Sequence, residues 1–212
     1  DDVQEELKLI ALTGTNGKSS TAFIIHYLLG QVGKISAITG TLGCGVNGTL
    51  KRSSLTTPGA EELHAFFEDV HEQGAEYVVL EASSHGLEQE RLHGLSFEAV
   101  LFTNLSEDHL QYHGSMEEYF SAKKKLFENH ESKIQVINSD DNYGQRLLSP
   151  LSKTFAKLAS SDCQVLRKSI RIGDIEIQLP QLIGEYNIYN AAGAVLLVKE
   201  LLGETYLDSI KI

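Results

Sequence analysis

Short, near-continuous apolar runs alternate along most of the chain with longer stretches where apolar residues return every three or four positions. The first pattern predicts strands covered on both faces, and the second predicts helices packed by one side. Residues 7–14, LKLIALTG, read as a strand running into a glycine loop, and residues 18–33, KSSTAFIIHYLLGQVG, as the helix that follows. KISAIT (34–39), EYVVLEAS (76–83), FEAVLFTNL (97–105) and KIQVIN (133–138) read as further strands. AEELHAFFEDVHEQG (60–74) sets Leu63, Phe66, Phe67 and Val70 on one helical face and ends at Gly74. SMEEYFSAKKKLFENH (115–130) opens with Ser115 and Glu118 in capping-box spacing, so a helix starts there. The Asn-Gly pair in VNGT (46–49) and the Gly-Asp pair in IRIGDIEIQL (170–179) predict hairpins, and NIYNAAGAVLLVKELLG (187–203) a closing helix. Between residues 139 and 169 polar residues blur the pattern. Strand and helix in alternation predict an α/β fold: a three-layer, doubly wound, mostly parallel sheet with small hairpins.

Composition narrows the possibilities. A chain of 212 residues fits one domain with a substantial core. Its net charge of −11 argues against nucleic acid or an anionic membrane as partner. Cys44 and Cys163 lack the spacing of a zinc site or a disulfide framework. There is neither an apolar run of about 18 residues nor a charged-then-apolar leader, so a cytoplasmic protein is expected.

Ligands of an open α/β sheet gather at the carboxyl ends of its strands, and the chemistry-bearing segments fall there. TGTNGKSS follows a strand and opens a helix, the setting of a phosphate loop, although Leu12 stands where the general pattern G-x-x-x-x-G-K-[ST] has its first glycine. Gly14 and Gly17 would let backbone N–H groups converge on phosphate oxygens. Lys18 would reach the outer phosphates, and the Ser19 hydroxyl would meet a magnesium ion. Glu81, at a strand end, is equally readable as a metal ligand or as a solvated carboxylate. Asn104, Asp108, His109 and His113 lie past another strand, where a plain polar loop is the readier reading. The lysines of SAKKKLF read first as a solvated face, and helix register lets only one of the three point inward. SSLTTPGA is a loop offering the hydroxyls of Thr56 and Thr57.

Taken in order, TGTNGKSS, LTTPGA, LEASSHGLEQERLHG, FTNLSEDHLQYHGSMEEYFSAKKKLF, VINSDD and GEYNIYNAAGA resemble the central, ATP-binding domain of the Mur ligases, most closely the MurE branch. That family's phosphate loop is shorter on its N-terminal side, which accommodates Leu12. The resemblance implies a P-loop NTPase-like domain over residues 1–212, with the family's N-terminal uridine-binding and C-terminal ligase domains absent. It implies ATP and Mg²⁺ as cofactors, and Gly14, Thr15, Asn16, Gly17, Lys18, Ser19, Ser20, Asn104, Asn187 and Asn190 around the nucleotide. Ser19, Glu81, His109 and a carbamylated Lys123 become metal ligands, and Lys18, Glu81, His109 and Lys123 the catalytic set. Thr56, Thr57, Ser83, Gln89 and Arg91 are implied to hold the sugar-peptide. Tyr186 departs from the family's usual residue before Asn187, and stacking or packing at the adenine edge is the reading there.

The implied activity is ATP-dependent addition of a third amino acid, diaminopimelate or lysine, to UDP-N-acetylmuramoyl-L-alanyl-D-glutamate. It proceeds through an acyl phosphate, in peptidoglycan synthesis. A monomer is expected, binding nucleotide weakly and ligating poorly or not at all by itself. The alternatives are a nucleotide-binding module without ligase activity and a folylpolyglutamate synthetase-like ligase. The latter lacks a close match to SSHGLEQERLHG and TTP.

Overall fold

Strand β1 (Lys8–Thr13) is buried at every position after Lys8, and its alternation of sides divides the core in two. Ile10 and Leu12 enter one apolar cluster, Leu9 and Ala11 the other. Burial on both sides is why the run reads as continuously apolar.

The computed structural model describes residues 3–46, 51 and 55–210. Beyond β1 its strands are β2 (Ser36–Gly40), β3 (Gly43–Val46), β4 (Tyr77–Glu81), β5 (Phe97–Phe102), β6 (Ser132–Asn138), β7 (Ser152–Ala156), β8 (Cys163–Val165), β9 (Ser169–Ile172) and β10 (Ile175–Gln178). They form one sheet in the order β10-β9-β8-β7-β6-β5-β1-β4-β2-β3. Pairing is parallel from β8 across to β2. It is antiparallel for β3 at one edge and for β9 and β10 at the other.

The helices are α1 (Val3–Glu6), α2 (Lys18–Gln31), α3 (Ala60–Glu72), α4 (Ser84–Glu88), α5 (Leu110–His113), α6 (Met116–Glu128), α7 (Asn142–Gln145) and α8 (Glu185–Leu202), with a 3₁₀ turn at Glu204–Ser209. Ala22, Ile25, Leu28 and Leu29 of α2 pack with Ala191, Val195 and Val198 of α8 over Ile10 and Leu12. On the opposite face Leu63, Phe67 and Val70 of α3 and Leu126 of α6 cover Leu9, Ala11 and Val100. The result is the expected three-layer, doubly wound sheet. From β1 the chain crosses by α2 to β2, skipping a place that β4 later fills. From β4 it crosses β1 to reach β5. The strand order therefore reverses beside β1, the place where such sheets open a crevice.

The Gly-Asp hairpin forms as expected, with Gly173 at φ 56 between β9 and β10. At the other end, β2 and β3 pair through a tight turn at Thr41 and Leu42. Cys44 and Lys51 exchange backbone hydrogen bonds of 2.9 and 2.8 Å, but the predicted Asn47-Gly48 turn lies outside the described residues. The blurred stretch after residue 139 contains α7, β7 and β8. Ser152, Lys153 and Thr154 of β7 are only half-buried, so no alternation marks that strand. It is held by its parallel register on β6, from Gln135 opposite Ser152 to Asn138 opposite Phe155.

Candidate nucleotide and metal site

Gly14 and Gly17 shape the loop between β1 and α2, and each is there for close approach. Gly17 caps α2 with φ 86, a left-handed conformation that side-chain-bearing residues rarely adopt, and a Cβ on it would lie 2.2 Å from Asn190 Oδ1. Gly14 has φ 145, and its Cβ would sit 1.9 Å from Thr103 Oγ1. The loop is thereby pressed against the end of β5 and the start of α8. Thr15 N–H donates to Asn104 O at 2.8 Å and Asn16 N–H to Asn104 Oδ1 at 3.0 Å. In return Thr103 Oγ1 and Asn104 Nδ2 donate to Asn16 O at 2.7 and 3.0 Å. No side chain caps α2. Its leading N–H groups, Ser20 among them, are thus at the positive end of a helix, which suits an anion.

Two lysines converge on this loop. Lys18 Nζ folds back to Gly14 O at 2.9 Å and Thr15 O at 3.0 Å. Lys123, 1% exposed, reaches the same Gly14 O from α6 at 2.8 Å, its ammonium 4.6 Å from the centre of the Tyr119 ring. Burial holds the Lys18 pKa below the usual lysine range, with Glu81 and Asp108 opposing. Lys123 is pushed well below that range, first by burial and then by the nearby charge of Lys18. Helix register sets Lys123 apart, because Lys124 instead pairs with Glu128 on the surface at 2.6 Å.

Glu81 is 2% exposed at the end of β4. Its Oε1 accepts from Ser19 Oγ at 2.8 Å and from Thr41 N–H at 3.1 Å, and its Oε2 accepts from Thr41 Oγ1 at 3.1 Å. Among the described residues no cation pairs with it. Gly40 makes room, since a Cβ there would lie 2.2 Å from Glu81 Oε1. His109 heads α5 at φ 52, a conformation uncommon outside glycine. Its Nε2 is 3.5 Å from Asp108 Oδ2, and its ring meets that of His85 edge-on at 5.1 Å. No bond joins His109 to Glu81, Ser19 or Lys123. Among the described residues no three His, Cys, Asp or Glu side chains group closely enough to hold a metal unaided.

The residues assigned to the sugar-peptide form one connected set beyond Glu81. Thr57, 1% exposed, donates to Glu81 O at 2.8 Å, and accepts from Ser83 N–H at 2.9 Å. Ser83 Oγ lies 2.9 Å from the Thr57 hydroxyl and accepts from Gly86 N–H at 3.1 Å, capping α4. Thr57 is thus fully engaged in holding the loop, while Thr56 is half-buried beside it. Arg91 donates to Thr57 O at 2.7 Å and twice to Gln89 Oε1, at 3.1 and 2.6 Å.

On the opposite side of the loop a cavity of about 760 Å³ opens, lined among others by Asn16, Ser20, Asn104, Asn138, Tyr189 and Asn190. Asn187 turns its amide to Ile183 O at 2.8 Å and accepts a longer 3.4 Å bond from Asn190. Tyr186 stands at the rim, 69% exposed. Several residues here escaped the motif-based reading: Thr103, Asn138, Tyr189, Gly40 and Thr41. Asn138 donates to Thr103 O at 2.8 Å, and the Tyr189 hydroxyl bonds Asp140. Most stand at strand ends, so the rule that located Glu81 could have found them, but nothing in the local sequence distinguishes them from ordinary polar residues.

A strand, an uncapped glycine loop and a helix at a switch point, with a buried carboxylate at the neighbouring strand end, define a phosphate-loop α/β domain. Comparison with known proteins makes the assignment specific. The family described as Mur ligase middle domain matches residues 12–198, and the chain belongs to it. The UDP-N-acetylmuramoyl-L-alanyl-D-glutamate–2,6-diaminopimelate ligase of Aquifex aeolicus is 39% identical over 202 residues, covering 90% of this chain and 42% of the relative. The ligase of the same name from Clostridium perfringens is 35% identical over 225 residues, covering 98% and 46%. A solved structure of a protein with that name superposes with a TM-score of 0.85 at 31% identity, over 95% of this chain and 45% of that one. The chain spans less than half the length of these relatives. Among its described residues no helix is long and apolar enough to cross a membrane.

Proposed function

We propose that this chain is the ATP-binding part of a ligase that activates a carboxylate as an acyl phosphate and passes it to an amine. The observation that carries the reading is the pairing of Ser19 Oγ with the buried carboxylate of Glu81 at 2.8 Å, beside a loop on which Lys18 and Lys123 converge. Ser19 spends its only hydrogen on Glu81, which leaves its lone pairs for a cation. Hydroxyl and carboxylate oxygens are the donors a magnesium ion prefers. These residues fit the ion, and His109 and a carbamylated Lys123 would complete its ligands. The ion would neutralise charge developing on the transferred phosphoryl group.

The chain's own residues supply the contacts to nucleotide and acceptor. Lys18 and the N–H groups of α2 hold the outer phosphates. Asn16, Asn104, Asn187 and Asn190 surround the nucleotide in the adjoining cavity, with Tyr186 at the adenine edge. Arg91, Gln89, Ser83 and Thr56 orient the sugar-peptide, and Thr57 holds their loop. The substrate carboxylate attacks the γ-phosphorus and ADP leaves. The amine then attacks the acyl carbon, phosphate departs with the electron pair, and the amine loses a proton. Phosphoryl transfer of this kind depends on positioning and electrostatics and needs no covalent nucleophile. Lys123 has the environment a carbamate requires, because burial and Lys18 favour its neutral amine, whose lone pair can attack carbon dioxide.

The names of the relatives support UDP-N-acetylmuramoyl-L-alanyl-D-glutamate as acceptor and 2,6-diaminopimelate, rather than lysine, as amine. A cytoplasmic monomer fits that chemistry. Two measurements test the reading. Intact mass in bicarbonate buffer should rise by one carbon dioxide and lose that gain in Lys123→Met. Mg-ATP should raise the melting temperature. Absence of any nucleotide-dependent stabilisation would sink the proposal.

A further inference from the structure

Thr41, in the turn between β2 and β3, touches both halves of the site. Its N–H donates to Glu81 Oε1 and its hydroxyl to Oε2, each at 3.1 Å, so one residue fixes both carboxylate oxygens. Among the described residues its hydroxyl is the only donor to Oε2. That hydroxyl also lies 3.2 Å from Thr56 Oγ1. A hydroxyl carries one hydrogen. With Thr41's hydrogen on Glu81, Thr56 must be the donor between the two threonines, and its remaining lone pairs are left for the cleft. The preceding residue enforces the approach, because any Cβ on Gly40 would collide with the same carboxylate, 2.2 Å from Oε1.

We propose that Thr41 is a positioning residue of the cation site: it sets the rotation of the Glu81 carboxylate and couples it to Thr56 on the acceptor side. The proposal rests on the reading above, in which Ser19 and Glu81 take the divalent ion. Without the Thr41 hydroxyl, Oε2 of a nearly inaccessible carboxylate loses its donor. The group then turns to find another, and Oε1 leaves its alignment with Ser19.

The test is Mn²⁺ binding in the presence of ATP, followed by electron paramagnetic resonance, in the wild-type chain, Thr41→Val, Thr41→Ser, Glu81→Gln and the Thr41→Val/Glu81→Gln double variant. Loss of an outer partner of a metal ligand typically weakens binding by about 10-fold or more, and that is expected for Thr41→Val, with a changed Mn²⁺ spectrum. Thr41→Ser should restore both. In the Glu81→Gln background Thr41→Val should add nothing, because the two act as one unit. Thr41 is exposed, so the fold should tolerate the change. If valine does not fold there, Thr41→Ala carries the same expectation. Wild-type affinity in Thr41→Val, or an undiminished further loss in the Glu81→Gln background, overturns the proposal. A wild-type chain that binds no Mn²⁺ with ATP overturns the functional reading beneath it, and this inference with it.

Discussion

At the scale of single residues, this molecule turns on small differences in what surrounds similar groups. Three lysines stand in a row on α6, and only Lys123 is buried. Two threonines stand together in TTP, and only Thr57 is fully engaged. Glycine at position 17 answers two demands at once, a left-handed backbone and contact with Asn190. Gly17→Ala should therefore cost about 1–3 kcal/mol from backbone strain alone. It should also abolish nucleotide-dependent stabilisation, as urea melts with and without Mg-ATP would show. Cys163 gives a pH prediction. Burial raises its pKa from 9.0 to about 12, so the unfolded chain releases that proton first as pH rises. Below 9.0 the thiol contributes no pH dependence. Above it, up to about 12, the group removes about 1.4 kcal/mol of stability per pH unit. Cys163→Ala should melt with a shallower decline over that range than the wild type.

At the scale of elements, the sheet and its helices hold the site by their ends. Helix α6 begins where Ser115 Oγ accepts from Glu118 N–H at 3.2 Å, and its hydroxyl donates to Glu118 Oε2 at 3.0 Å. This is the cap that the spacing predicts, although the carboxylate takes the hydroxyl rather than closing the box on the Ser115 backbone. Ser115→Ala should cost about 1 kcal/mol in chemical denaturation. Phe67 of α3 is fully buried in the apolar cluster on the sheet face away from α2 and α8. Its replacement by alanine should cost about 3–5 kcal/mol. Because Phe67 belongs to the layer opposite α2 and α8, nucleotide affinity in the folded fraction should be unchanged. A large affinity loss would show that the two layers are coupled.

At the scale of the whole molecule, a doubly wound sheet gathers residues from distant parts of the chain at one edge. A ligand binding only the native state stabilises it by about 2.7 kcal/mol at a hundred times its dissociation constant. Mg-ATP should do this for the wild type and much less for Lys18→Met, as differential scanning calorimetry would register. The strands that bear the site were readable in the sequence because β1, β4 and β5 are covered on both sides and so are almost wholly apolar. Strands β7 and β8 were not readable, since β7 is half-exposed over its first three residues and β8 is only three residues long; β7 gains its identity from pairing with β6, and β8 from pairing with β7 and β9.

The chain order of residues determined the alternation of strand and helix, the glycine loop, the helix starts, and hence the class of fold. These are local properties, fixed by side-chain periodicity and by backbone conformations that only particular residues accept. The sequence alone left Glu81 undecided and could single out Lys123 only through resemblance. Tertiary structure added what surrounds each: both are removed from water, with Ser19 and Thr41 at the Glu81 carboxylate and Gly14 O at the Lys123 ammonium. Burial and hydrogen bonding between residues 40 to 109 positions apart in the chain cannot be read from any local pattern. They arise only when the sheet order brings the ends of separate strands together.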